Sequence, residues 1–187
     1  MTTVSDVNAS GKTVRAWDIG VRLFHWSLVA MVAGAYLTDD FRKIHRYLGY
    51  VVIALIGFRL IWGLIGSHNA RFITFIPGPR RLMAYLCDIF AGREQRYIGH
   101  NPAGAAMIIA LLVTLGAVGA TGYMMGMERY FGQTWVENSH KTLVDGLVVL
   151  VVFHLGGVLL ASYRHSENLV RAMITGRKSL DDPSQNH

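Results

Sequence analysis

The sequence predicts an all-α integral membrane protein, a four-transmembrane-helix bundle with both termini in the cytoplasm. The 187 residues are 52% hydrophobic and only 16% charged, whereas soluble domains carry roughly 25% charged residues. Four apolar stretches are each long enough to cross a bilayer. Lys and Arg are concentrated on one side of these stretches, which sets the orientation.

The chain divides into a polar N-terminal segment, a membrane domain and a tail. Residues 1–18 have no apolar core and no small-residue cleavage site, so we expect no signal peptide and an uncleaved first span. The membrane domain covers residues 19–163. Its spans are predicted at about residues 19–38, 45–66, 104–123 and 140–163.

The longest connection between spans is predicted at residues 67–103. It contains a short amphipathic helical piece at 81–92, which we expect at the membrane surface. The tail, residues 164–187, is predicted to be amphipathic and cytoplasmic, with a short surface helix closed by Gly176 and no order beyond it.

The net charge of +6 is interpreted as an orientation signal rather than as a nucleic-acid footprint. Twelve Lys and Arg residues fall in or beside the N-terminal segment, the long connection and the tail, against five on the two short connections. The positive-inside rule then places both termini and the long connection in the cytoplasm, in contact with membrane lipid. Cys87 is the single cysteine, which excludes an intramolecular disulfide and a cysteine-based metal site.

The fourth span carries two histidines, His140 and His154, fourteen positions apart. At about 1.5 Å of rise and about 100° per residue, they are separated by roughly 21 Å and leave nearly the same helix face. His45 opens the second span at the level of His140, and His25 lies near the level of His154. Two facing histidines at one depth can hold a haem iron from both sides.

Other readings of these histidines are weaker for the set than for one residue. A single intramembrane histidine is usually hydrogen-bonded to a neighbouring helix, but two depth-matched pairs need a further reason. A zinc or iron transport path would add carboxylates, and within the spans the exception to their near absence is Asp145. Gly34 and Gly49 would let a flat macrocycle lie against a helix backbone.

Two cations are candidates for binding haem propionates. Arg59 lies fourteen residues after His45, so it reaches the depth of the inner pair on the same face. A buried guanidinium needs a partner, which is either a propionate or a backbone carbonyl. Lys141, like Arg46, could serve the outer haem in the same way.

At these residues the sequence resembles the bacterial cytochrome b561 family, especially the branch like the b-type cytochrome subunit of nickel-dependent hydrogenases. The matching stretches cover most of residues 14–178 and are VRAWDIGVRLFHW at 14–26, IHRYLGY at 44–50, GFRLIWG at 57–63, SHKTLVDGLVVLVVFHLGGVLLAS at 139–162 and HSENLVRAMITGRK at 165–178. The resemblance implies two b haems, each held by two histidines. By position, the ligands are His25 with His154 and His45 with His140.

The resemblance also implies a function in the bacterial cytoplasmic membrane. We expect a multi-pass dihaem cytochrome that carries single electrons between the ubiquinone or menaquinone pool and a redox partner, such as a periplasmic c-type cytochrome or an oxidoreductase subunit. Hydrogenase b subunits usually have a fifth span and this sequence has four, which favours the first kind of partner. Quinone oxidoreductase activity and homodimerisation are left open by the sequence.

Two alternatives accompany this prediction. Some small members of the group resemble a superoxide:quinone oxidoreductase, and an outer basic pocket of Lys141, Arg46 and Arg129 would attract the superoxide anion. From another class, the chain could be a small membrane transporter or a haem-free assembly subunit.

Overall fold

The computed structural model describes residues 13–93, 97 and 101–179. Four of its helices are long and apolar enough to cross a membrane. They are α1 (Ile19–Leu37), α2 (Arg42–Ile65), α5 (Pro102–Met124) and α6 (Thr134–Arg164). Short helices lie outside the bundle, namely α3 (Phe72–Phe75), α4 (Pro79–Phe90) and α7 (Leu169–Thr175).

The four long helices form an antiparallel bundle in which α1 packs on α2, α2 on α5 and α5 on α6. We call the end that contains residues 19, 65, 102 and 164 the termini end. The other end, with the short connections 38–41 and 125–133, is the hairpin end. Large apolar side chains remain exposed along the long helices, Val152, Phe153 and Leu159 of α6 among them. A bundle whose backbone is satisfied within helices and whose outer surface is apolar suits a lipid environment, which confirms the predicted fold class.

Polar side chains fix where the helices begin. The Asp18 carboxylate accepts a hydrogen bond of 2.8 Å from the backbone N–H of Val21 and so caps α1. Asn101 caps α5 in the same way, at 2.7 Å from the N–H of Gly104. The helix α6 begins at Thr134, well before the predicted span. The chain turns at Gly132, where φ is 71°, and no helix breaker follows, so the aromatic residues near 135 are helical.

A two-stranded antiparallel sheet joins the two described ends of the chain. Strand β1 (Thr13–Arg15) pairs with β2 (Arg177–Ser179), with Val14 opposite Lys178. Gly176 closes α7 with a φ of 80°, as predicted, and its carbonyl accepts a hydrogen bond from the N–H of Ala16 at 2.9 Å. The expectation of no order beyond Gly176 is therefore wrong for residues 177–179.

The apolar core lies midway along the bundle. Val52 and Ile56 of α2, Leu115 of α5 and Leu147 of α6 form one buried cluster. Leu147 is seven residues from His140 and seven from His154, which is about 10 Å along the helix in either direction. The core therefore separates the two levels at which the histidines stand.

Candidate haem sites

The hairpin end brings together His45 of α2 and His140 of α6. Their ring centroids are 6.2 Å apart and the ring planes are inclined at 77°. Both side chains are half-buried. Two imidazoles on opposite sides of one metal ion, each with a metal–nitrogen distance of about 2 Å, would also place their centroids about 6 Å apart. The separation fits one shared iron.

Backbone carbonyls hold both of these rings by the Nδ1 atom. Nδ1 of His45 lies 2.9 Å from the carbonyl oxygen of Ala35. Nδ1 of His140 lies 3.1 Å from the carbonyl oxygen of Val118 and 3.0 Å from the hydroxyl of Thr121. A carbonyl can only accept, so the proton is on Nδ1 and Nε2 keeps its lone pair. This is the arrangement of metal-binding histidines, whose second nitrogen donates to a carbonyl or carboxylate.

The termini end brings together His25 of α1 and His154 of α6, both half-buried and within electrostatic range of each other. The Nδ1 atom of His25 is buried, and no hydrogen-bond partner for it is found among the described residues. An unsatisfied buried polar atom costs about 1–3 kcal/mol. The donor set at this end therefore fits an additional group between the two rings.

Within residues 13–93, 97 and 101–179, no three His, Cys, Asp or Glu side chains are grouped to hold a bare metal ion. Each histidine pair offers two nitrogens, which is the axial ligand set of a haem iron, whose other ligands come from the porphyrin. Gly49, one turn after His45, has open space where a Cβ would stand. Gly34 does not, because a Cβ there would lie 3.2 Å from Leu48.

Arg59 is 3% exposed and occupies a pocket at the termini end. Its Nη1 donates to the carbonyl oxygen of Ala70 at 3.1 Å, and its Cζ stands 4.5 Å from the centroid of the Phe72 ring. The Asp18 carboxylate is within electrostatic range. Of the two roles left open by the sequence, the structure displays the carbonyl-bonded one. The propionate role stays a prediction for the other guanidinium nitrogens.

The Asp18 carboxyl keeps its negative charge beside this pocket. Burial would raise its pKa, but hydrogen bonds from the Ser67 hydroxyl and the Val21 N–H outweigh burial, so the pKa lies below its usual value. Asp18 thus links the start of α1, the chain after α2 and the Arg59 guanidinium in one charged cluster.

The other candidate cation, Lys141, is exposed at the hairpin end, and so are Arg46 and Arg129. Arg46 and Lys141 each follow a histidine of the pair directly in sequence. Asp145 is exposed on α6, whereas Asp39 lies within electrostatic range of His140. The surface around the hairpin-end pair is therefore rich in charge, mainly positive.

Sequence reasoning missed the groups that orient His140. Backbone carbonyls such as that of Val118 have no sequence signature, and Thr121 is an ordinary helix residue until its neighbour is known. Gly122 was noticed for its spacing with Gly116 and Gly119. In the structure a Cβ on Gly122 would lie 3.2 Å from Cε1 of His140, and one on Gly119 would lie 2.8 Å from Ile53.

Replacing Gly122 by alanine is expected to displace the His140 ring. A mid-helix glycine-to-alanine change stabilises by about 0.5–1 kcal/mol when space is free, but here the new methyl group meets a ring held by two hydrogen bonds. We expect a lower thermal midpoint and an altered absorption spectrum. Gly116→Ala is the matched control, because nothing lies within 4 Å of its Cβ position. Equal behaviour of the two variants would contradict the assigned contact.

A bundle of membrane-spanning helices with facing imidazoles at its interior levels is the architecture of a membrane-bound cytochrome. The sequence model of the family described as prokaryotic cytochrome b561 matches residues 16–176, and the chain belongs to that family. It is a multi-pass bacterial membrane protein, a b-type cytochrome that binds haem b and transports electrons. The family predicted from the sequence is confirmed.

Similar proteins carry one printed name, probable Ni/Fe-hydrogenase B-type cytochrome subunit. The relative from Bradyrhizobium diazoefficiens is 24% identical over 91% of this chain and 87% of its own length. That from Azotobacter vinelandii is 26% identical over 89% and 84%. That from Azotobacter chroococcum is 27% identical over 90% and 90%. No solved structure matches the chain significantly.

Proposed function

We propose that this protein is a dihaem b-type cytochrome that carries single electrons between the quinone pool and a redox partner. One haem would be held by His45 and His140 at the hairpin end, and the other by His25 and His154 at the termini end. The single observation that carries this proposal is the His45–His140 pair, 6.2 Å between ring centroids with both Nδ1 atoms bonded to backbone carbonyls.

The residues suit one-electron transfer across the membrane. The two histidines of α6 are about 21 Å apart along the helix axis, and the apolar core at Leu147 stands between them. Haem, when bound, supplies the reversible one-electron chemistry. The protein contributes fixed imidazoles, a low dielectric and exclusion of water from the core. The macrocycle edges would approach each other more closely than the ligands do.

The orientation belongs to the same proposal. Excess Lys and Arg at the termini end would face the cytoplasm, and the hairpin end with His45 and His140 would face outward. Electrons passing from one pair to the other would then cross most of the bilayer. Quinone, being lipid-soluble, can reach either level from the membrane.

The partner is an oxidoreductase or a periplasmic c-type cytochrome. The names of the relatives make a hydrogenase the first oxidoreductase to test. The alignment with the first of them extends over 216 positions, more than the 187 residues of this chain. That relative therefore has inserted residues that this chain lacks, which agrees with the smaller number of spans predicted here.

A reduced-minus-oxidised absorption spectrum of the purified protein tests the proposal. We expect the bands of b haem, and the pyridine derivative of the extracted pigment should give two haems per chain. One haem per chain would leave only one histidine pair with its assigned role. A colourless protein with an intact fold would overturn the haem proposal and favour a transporter or an assembly subunit.

A second candidate, superoxide:quinone oxidoreductase, is favoured by the exposed cations at the hairpin end. Arg46, Arg129 and Lys141 are exposed there, and a positive surface increases the encounter rate of an anion. Rapid mixing of the oxidised protein with superoxide, beside mixing with a quinol, separates the two functions. Reduction by superoxide that slows severalfold in Lys141→Gln would support the second candidate. Reduction by quinol alone would remove it.

A further inference from the structure

Helix α4 has three distinct faces. At about 100° per residue, Leu82, Tyr85, Leu86 and Ile89 share one face, and all are partly or fully buried. A second face holds Arg81, Ala84 and Asp88. The third face, which we call the α4 stripe, consists of Arg80, Met83, Cys87 and Phe90, all of them exposed.

The α4 stripe is more apolar than a water-facing surface of a short helix would be. Phe90 is 90% exposed and Met83 is 61% exposed. Just before α4, Ile73 is 89% exposed as well. Large apolar side chains grouped in this way mark an interaction surface. The stripe is also continuous with the exposed apolar surface of the membrane-spanning helices.

Contacts fix α4 at the boundary of the bundle. Its buried face packs on α5, and the Tyr85 ring meets the Tyr97 ring at 5.7 Å between centroids. Nη1 of Arg164, the last residue of α6, donates to the carbonyl oxygen of Ile89 at 2.9 Å. Helix α4 therefore lies at the level where α6 ends and α5 begins, which is the membrane surface.

Charge indicates which occupant the stripe accepts. Arg80 begins the stripe and Arg81 stands beside it, with its Cζ 6.0 Å from the Tyr97 ring centroid. A basic first turn with an apolar stripe below it is the pattern of a helix that lies in the interface plane. Cations at this level attract anionic lipid headgroups.

We propose that the α4 stripe is a docking surface for acidic phospholipids of the leaflet at the termini end. Met83, Cys87 and Phe90 insert among the acyl chains, and Arg80 meets the headgroup phosphates. The helix thereby anchors the ends of α5 and α6 at a fixed depth. This inference rests on the membrane fold and is independent of the haem ligands.

The single cysteine of the chain allows a test on the full-length protein without substitution. A nitroxide label on Cys87 is placed in vesicles of phosphatidylglycerol and phosphatidylethanolamine, and its collisions with oxygen and with a water-soluble nickel chelate are compared. A stripe inserted about 5–10 Å below the surface should meet oxygen severalfold more often than nickel. The matched control is Cys87→Ala with Ala84→Cys, which puts the label on the water-facing side, where the preference should reverse.

Each other outcome overturns the proposal or part of it. Frequent nickel collisions at Cys87 would show that the stripe faces water. Few collisions with either reagent would show that protein covers it, either another subunit or a second copy. Arg80→Gln and vesicles of phosphatidylcholine alone should each raise nickel collisions at Cys87 about twofold or more. No change in either case would remove the acidic headgroup from the proposal.

Discussion

His154→Ala is expected to reduce the haem content from two per chain to one. The variant removes one axial ligand at the termini end, and His25 alone would have to hold the iron. The hairpin-end pair, about 21 Å away along α6, keeps its carbonyl bonds at Nδ1. The remaining haem should therefore retain its spectrum and its reduction potential. Pigment extraction and a redox titration followed by absorbance measure both quantities.

Two further variants make this expectation sharp. His140→Ala should remove the other haem and leave the termini-end one, so the two single variants should show complementary potentials. His68→Ala is the control, since His68 is exposed and lies outside the long helices. Retention of both haems in His154→Ala would refute the pairing of His25 with His154. Loss of both, in a protein that still folds, would refute the independence of the two sites.

Arg59→Met is expected to lower the thermal midpoint of the protein by about 5–10 °C. A hydrogen bond from a charged donor contributes about 1.5–3 kcal/mol, and a desolvated cation–π contact about 2 kcal/mol. Both are lost, because Arg59 is bonded to Ala70 and stacked on Phe72. In a chain of this size each kcal/mol shifts the midpoint by about 2–4 °C. Light scattering or tryptophan emission in detergent follows the transition.

Comparison variants separate the structural role of Arg59 from its predicted cofactor role. Arg59→Lys keeps the charge but loses the planar group that stacks, so an intermediate midpoint is expected. Arg80→Met, at an exposed position, should change stability by no more than about 0.5 kcal/mol. A shift in the potential of the termini-end haem in Arg59→Lys would support a propionate contact. An unchanged midpoint in Arg59→Met would contradict the assigned contacts.

The sequence predicted the membrane fold and the four histidines from simple periodicity. Long apolar stretches have no stable place in water, and the spacing of His140 and His154 determines their face on any α-helix. The surface helix near residue 85 was expected from its amphipathic pattern. Its division into three faces was not, because one pattern of apolar residues serves both protein packing and lipid contact.

The partner of Arg59 shows where sequence reasoning stops. Its depth matched the inner pair, and a buried guanidinium needed an acceptor. The acceptor in the structure is a backbone carbonyl, that of Ala70. Every residue has such a group, so nothing in the sequence distinguishes this one. The same reason hid the Ala35 and Val118 carbonyls that hold His45 and His140.

The sequence by itself determined the class of protein, the spans and the candidate ligands, because hydropathy and helical period are local properties. Tertiary structure alone decided which groups orient those ligands and how the chain ends meet. Strands β1 and β2 have three residues each, too few for a sequence signal. They form because the bundle brings residues 13–15 and 177–179 side by side. Contacts between distant segments follow from packing, which no single stretch contains.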